Sequence, residues 1–521
     1  CTLLADRWAP VKAELVQQFA DAIDQLAETA ASTEFVGQRT LEHQVWATLL
    51  QVGNLLLAQL FSLACLVQTT QHPAFVAGQT PLRTGASYRS LLQSTLGPIR
   101  VLLFAFRSKK GRTVTPARTV VVPSRARVRA TDLLVEWSSR LGSEMPFRGA
   151  EKAMTFFTHG AVSIEDTTLQ RQAQLAGRLV TRHDCFRSTK DIVEILRENA
   201  TSDAQTGRPV VYLSSDAHAL RRYVDDSWTA EWKMINGIRM WCVDRVTGNT
   251  LHLGGDYTWG DAAGLQQLFA NLQSDGFIPK EGRFGDVEVQ FAVILDGQDW
   301  LRDRWQPYLP ADTVFILDFY HVQQDVASAI NAVYGSGTKA AKRALSRVFR
   351  VVAGRRRPPK KPPRPRRGHT KRRRKHRRPR QIRLSEHPDG AGRELINWLL
   401  ENVEADAQAR GEDAVDALDT LVGYLARNVD RLDFPVYQSR HLQIGSGVME
   451  SFHRLASQVR LKRSGARWLP DNALGILRLR LVTLAGRWED FWSQPGLVQA
   501  FHERPSDCSL MSADMAVLPQ V

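Results

Sequence analysis

Between Pro209 and Asp318 short apolar runs are separated by single helical stretches, and that order admits few folds. Val210-Val211-Tyr212-Leu213 is a strand-like run that ends at Ser214-Ser215-Asp216. Strands are expected over 238–243 and 251–257, joined by a turn at Gly248-Asn249. A helix over 260–272 follows. Residues 286–295 then alternate, with Val287, Val289, Phe291 and Val293 in step, as a strand that ends at Asp296-Gly297. Another helix to about residue 308 leads to a last strand over 313–317, ending at Asp318. Three strands, helix, strand, helix, strand is the order of a mixed α/β sheet that begins as a hairpin-built meander.

The flanks are mainly helical. Val11, Leu15, Phe19, Ile23 and Leu26 recur at helical spacing, and the run over 41–67 repeats the pattern. Residues 99–122 turn to short apolar runs with Arg, Lys and Gly between them, which suits strands and turns. Helices are expected over 133–141 and 147–157, then a break at Gly160, then a helix through 169–179 opened by Ser163, Glu165 and Asp166. Two helices about a short turn containing Gly fit a helix-turn-helix; an ordinary helical hairpin fits as well. Further helices are expected over 321–352, 392–429 and within 445–492. This divides the chain into a helical region (1–98), a strand-turn segment (99–130), a helix-turn-helix region (131–205), the first part of a core (206–330), a helical insertion (331–436), a C-terminal core helix (437–495) and a tail (496–521).

Charge is local. Of 521 residues 43% are hydrophobic and 24% charged, with a net charge of +15, which excludes a disordered or collagenous chain. Seventeen Lys and Arg and no acid lie within 355–383, so the remainder is close to neutral. That Arg/Pro tract has no apolar residue before Ile382 and is expected to be a solvated, disordered loop. It would bind phosphate backbone without sequence preference and in a salt-dependent way; a degraded insert or a fortuitous localisation-like run reads equally well. The five cysteines are widely spaced, with no C-x-x-C, and read as reduced thiols of a cytoplasmic protein. The most apolar stretch, 49–67, contains Gln51, Asn54, Gln59 and Ser62, so a buried amphipathic helix is expected there rather than a membrane span. The chain opens on Cys1 rather than Met, which reads as a missing N-terminus.

Three acids stand where elements end: Asp216, Asp296 and, after the turn Gly445-Ser446-Gly447, Glu450. Carboxylates converging at strand ends would hold Mg²⁺ as hard oxygen ligands, and two such ions would stabilise both oxygens of an in-line phosphoryl displacement. Taken singly, each has a plainer reading: Asp216 as a turn or cap residue, Asp296-Gly297 as a turn, Glu450 as a surface glutamate.

Their surroundings narrow the choice. ILDGQDWLRDRWQPYLPADTVFILDFYHV, with YQSRHLQIGSGVMESFHRLASQVRLKRSGARWLPDNALGILRLRLVTLAGRWEDFW downstream, resembles the IS-Kra group of bacterial insertion-sequence transposases, DDE enzymes with an RNase H-like core. The resemblance runs from the N-terminal helices to Trp492 and is densest over 210–330 and 437–492. It implies Asp216, Asp296 and Glu450 as catalytic acids and as ligands of two Mg²⁺ or Mn²⁺ ions. Asp318 and His321 would form a D-x-x-H signature that braces the site, with Asp318 the rival to Asp296 as second ligand; His321 also reads as a structural histidine. The implied activity is metal-dependent cleavage at the element's ends and transfer of the freed 3′-hydroxyl into target DNA. A non-catalytic DNA-binding derivative and a nuclease without strand transfer are the alternatives. DNA contacts are expected from Arg460, Lys462, Arg463, Arg467 and Trp468, and from Arg171 reading the terminal inverted repeats, although the first group also reads as a solvated basic helix face. The resemblance further implies a dimer in the active complex and a place on the bacterial nucleoid, in the cytoplasm and not in a membrane. The segment LLFAFRSKKGRTVTPA lacks the cysteines of the family's zinc ribbon, so no structural zinc is expected there.

Overall fold

The computed structural model describes residues 2–31, 37–71, 87–104, 106–107, 113–115, 129–224, 229–260, 262–297, 299–352, 390–494 and 497. The Arg/Pro tract, most of 105–128 and the tail lie outside the described residues. The chain divides into two compact units: Cys1–Thr181 with Asp471–Arg480 and Trp488–Val521, and Arg182–Pro470 with Leu481–Arg487.

The first unit opens with helices α1 (Thr2–Ala30) and α2 (Gln38–Gln71) and an antiparallel hairpin, β1 (Ser87–Ser94) with β2 (Gly97–Phe104). Cys65 of α2 shares a small core with Leu92, Ile99, Val101 and Leu103 of the hairpin. The expectation that α2 is buried fails. Only Cys65 and Thr69 are buried in it, while Trp46, Leu49, Leu56 and Leu60 are exposed. The hairpin is two strands wide, so it covers one side of the C-terminal half of α2 and no more. By length and composition α2 is long and apolar enough to cross a membrane.

Next come α3 (Asp132–Glu144), α4 (Phe147–Phe157) and α5 (Asp166–Leu179). Leu134, Val135, Ala150, Met154, Val162 and Leu169 form their common core. His159 and Gly160 adopt left-handed backbone, φ 50° and 82°, which ends α4 where a break was expected. Within the same unit, Arg480 pairs with Glu144 at 2.6 Å.

The second unit is a mixed α/β structure. Its sheet has the order β7-β6-β3-β4-β5, comprising β3 (Val210–Tyr223), β4 (Ala230–Val243), β5 (Thr250–Trp259), β6 (Gln290–Leu295) and β7 (Val314–Leu317). β4 is antiparallel to β3 and β5, whereas β6 is parallel to β3 and β7 parallel to β6.

Two strand expectations need correction. β3 does not end at Asp216: its outer half pairs with β4 as far as Tyr223↔Ala230, because the meander is a long ribbon that outruns the parallel neighbour. β6 does not alternate either, for all six of its residues are buried. A strand inside the sheet is covered on both faces, so apolar residues occupy every position.

One face of the sheet carries the insertion. Val210, Tyr212, Trp241, Ala292, Ile294 and Ile316 share a core with α9 (Phe319–Tyr334), α10 (Lys339–Val352), α11 (Gly390–Arg410) and α12 (Glu412–Arg427). Between β5 and β7 run α7 (Ala262–Ser274) and α8 (Asp299–Trp305), and α6 (Thr189–Glu198) precedes the sheet. After α12 come α13 (Phe434–Ser439), α14 (Gly447–Phe452) and α15 (Pro470–Leu484). Buried Trp241 and Tyr212 both reach past the sheet to Gln443, the indole donating to its Oε1 at 2.9 Å and the phenol oxygen accepting from its amide at 3.0 Å. These bonds fix the segment that leads into α14.

Candidate active site

Strand register places the aspartates. Pairing of β6 with β3 runs to Ile294↔Ser214, and pairing of β6 with β7 to Leu295↔Leu317. Asp216 and Asp296 each lie two residues beyond the first of these pairs, on the same side of the pleat as their paired neighbours. Asp296 and Asp318 each lie one residue beyond the second. All three therefore stand level where the parallel pairing stops, at the strand ends where clefts form in such sheets.

Asp216 is half-buried and its Oδ1 accepts from the Ala217 amide at 2.7 Å. Burial pushes its carboxyl above the usual aspartate range, and the negative charges of Asp296 and Glu450 push the same way, against the Ala217 amide and the His321 cation. Asp296 is also half-buried, and its carbonyl accepts from the Tyr424 hydroxyl at 3.0 Å. Position 297 favours glycine: its φ is +93°, and a Cβ there would press on the Tyr424 side chain.

Asp318 differs. It is 1% exposed and caps α9, with Oδ1 accepting from the Tyr320 amide at 2.9 Å and the Ser446 amide at 3.2 Å. Its Oδ2 accepts from His321 Nδ1 at 2.7 Å and from the Ser446 hydroxyl. Burial alone would raise this carboxyl, yet the bonds from His321, Ser446 and Tyr320 outweigh it and hold the group below the usual range. His321 is correspondingly pushed up to about 9, first by its bond to Asp318 and further by the charges of Asp318, Asp296 and Asp216, against burial. It is a cation at neutral pH.

Through Ser446 the same carboxylate holds the turn that starts α14. Arg239 donates to the Val448 carbonyl at 2.6 Å, and buried Met449 and Phe452 seat the helix. Glu450 is exposed on it, close enough to Asp216 to act on its ionisation. Among the described residues no three His, Cys, Asp or Glu side chains stand close enough together to hold an ion as they are.

The expected DNA contacts divide. Lys462, Arg463 and Arg467 are exposed, as is Arg171 on α5. Arg460 and Trp468 are not presented to solvent, at 3% and 7% exposure. The guanidinium lies 4.9 Å over the indole, and the Trp468 amide and carbonyl bond to Arg221 and Tyr223 of β3. That segment returns to the edge of the long ribbon, so these two side chains become packing. Sequence reasoning missed Tyr424, Ser446, His218, Tyr257 and His453. Only His453 carried a signal, one helical turn past Glu450.

No protein-family model matches the chain, and no curated protein does. Among solved structures it is similar to the Drosophila P element transposase strand transfer complex, at 12% identity and a TM-score of 0.29, covering 68% of this chain and 91% of that one. A likeness of that size does not establish a shared fold.

Proposed function

We propose that the chain is a DDE transposase whose RNase H-like core cuts DNA at insertion-sequence ends and joins the freed 3′-hydroxyl to target DNA. The observation that carries this reading is the level placement of Asp216 and Asp296 on neighbouring parallel strands, with Glu450, more than 150 residues downstream, near enough for its charge to act on Asp216. The strand order, with β4 alone running against the other four strands, supports an RNase H-like core.

Asp216, Asp296 and Glu450 would hold Mg²⁺ or Mn²⁺, two ions, through hard oxygen donors. Three carboxylates would suit a cation if they drew closer than they stand: burial first, and then the charges of Asp296 and Glu450, raise the Asp216 carboxyl, and a divalent ion would offset that cost. Bound ions would supply charge stabilisation for the attacking and leaving oxygens of in-line displacement. The chain's own residues do the rest. Asp318, whose two oxygens accept four hydrogen bonds, braces the third-acid helix and is not a ligand. His321 holds a proton beside the carboxylates and offsets part of their charge. Lys462, Arg463 and Arg467 bind DNA phosphates, and Arg171 lies on the helix that reads the terminal repeats. Two protomers pair two DNA ends on the bacterial nucleoid.

The test is cleavage and joining of labelled DNA carrying the element's ends, with Mg²⁺ or Mn²⁺. Asp216→Ala, Asp296→Ala and Glu450→Ala should each slow cutting by about 10³-fold, roughly 4 kcal/mol of barrier, while still binding DNA. A wild-type protein that binds DNA but cuts it with neither Mg²⁺ nor Mn²⁺ is a binding protein, and the proposal fails. Nicks without joined strands would make it a nuclease.

A further inference from the structure

Behind Asp216 lies a buried polar cluster to which the proposed reaction gives no part. His453 is 2% exposed and opens a π-helical segment, His453–Gln458, that continues α14; such segments recur at functional sites. Its Nδ1 is 3.1 Å from the Tyr257 hydroxyl. Its Nε2 points at Asp216, 3.7 Å from Oδ2 and so beyond a hydrogen bond to the carboxylate, while the Asp216 main-chain carbonyl acts on the same ring. His218 lies edge-on to the same ring at 4.5 Å, its own Nε2 held by the Ser457 hydroxyl at 2.8 Å. Room for this cluster comes from Gly237, the residue paired with Asp216 across the ribbon. A Cβ there would fall 2.7 Å from the Tyr257 ring and 2.8 Å from that of His453.

Both imidazoles are buried, His453 at 2% and His218 at 8% exposure. A neutral imidazole has one donor nitrogen and one acceptor. The Asp216 carboxylate only accepts, and so does the Asp216 main-chain carbonyl on the same side. Nε2 must then carry the proton, which leaves Nδ1 to accept from Tyr257.

We propose that His453, set in the Nε2–H tautomer by Tyr257, is a positioning residue for Asp216. It donates to Oδ2 across a gap that a small carboxylate rotation closes, while the Ala217 amide donates to Oδ1. Both oxygens then keep a lone pair for a divalent cation, in a plane fixed beforehand. The role toward a cation rests on the reading proposed above; the hydrogen bond does not.

Two measurements on the full chain separate these. The first is metal-free long-range ¹H–¹⁵N NMR of histidine-labelled protein, with the His453 signals assigned by their loss in His453→Gln. Nε2 should be protonated and Nδ1 not, and the Nε2–H resonance should move in Asp216→Ala. An Nδ1–H tautomer, or a resonance unmoved by Asp216→Ala, overturns the assignment. The second is Mn²⁺ titration calorimetry. His453→Phe should weaken binding about 10–100-fold, and His453→Gln, which retains an N–H donor, should recover most of it. Wild-type affinity in a folded His453→Phe overturns the positioning role. Should His453→Phe fail to fold, Tyr257→Phe takes its place, with weaker binding expected and unchanged affinity counting against the role. If wild type takes up no Mn²⁺, the proposed function and the positioning role fall together, and the NMR result alone decides the hydrogen bond.

Discussion

Replacing Asp318 by Asn tests the brace that joins the end of β7, the start of α9 and the turn before Glu450. The asparagine keeps the size and one carbonyl acceptor, so the Tyr320 and Ser446 amides can still be met. It loses the charge that keeps His321 protonated. In the wild type His321 sits at about 9, against 6.5 for a free imidazole. A shift of that size corresponds to about 3 kcal/mol before solvent screening. The His321 side chain is 38% exposed, so solvent screening reduces this to about 1–2 kcal/mol. The folded value lies above the unfolded one. The stabilisation is therefore complete below about pH 6.5 and lost as pH rises through about 9. NMR titration of His321 should show its midpoint falling by about two units in Asp318→Asn. Thermal unfolding of the two proteins should differ more at pH 6 than at pH 10. An unmoved His321 midpoint, or an equal stability gap at both pH values, would refute the argument that this ion pair anchors the site.

Four further outcomes follow. Gly297→Ala should leave the chain folded but displace Asp296, lowering cleavage about tenfold or more; unchanged turnover would mean that the Tyr424 contact does not set the position of Asp296. Arg460→Ala should cost about 1–2 kcal/mol of stability through the lost stacking on Trp468. Lys462→Ala, Arg463→Ala and Arg467→Ala should spare stability and each reduce the salt dependence of DNA binding by about one unit of slope, so a reversed pattern in denaturation and in binding across salt would show that the buried and exposed cations had been misassigned. Trp241→Ala should destabilise the second unit by about 3–5 kcal/mol, read by denaturant unfolding, because the side chain is fully buried and also holds Gln443; a loss below 1 kcal/mol would contradict that packing.

The sequence determined the order of strands and helices through the sheet and offered Asp216, Asp296 and Glu450 as candidate acids. A strand run that closes on Asp is legible at β6 and β7, where Leu295 and Leu317 are the last apolar residues before Asp296 and Asp318, whereas β3 runs on past Asp216 to Tyr223. Helix periodicity likewise announced α1 to α5, since a 3.6-residue stripe needs no long-range information. Burial of α2 was not legible, because periodicity reports an apolar face and not whether anything covers it. Which of Asp296 and Asp318 is saturated with hydrogen bonds depended on Ser446, a residue 128 positions from Asp318. The packing of Arg460 and Trp468 depended on how far the β3–β4 ribbon outruns β6. His453 meets Asp216 because Gly237, across the ribbon from Asp216, leaves the rings room. Contacts of this kind join residues distant in the chain through strand register and side-chain volume, and those quantities exist only once the sheet and its covering helices have packed.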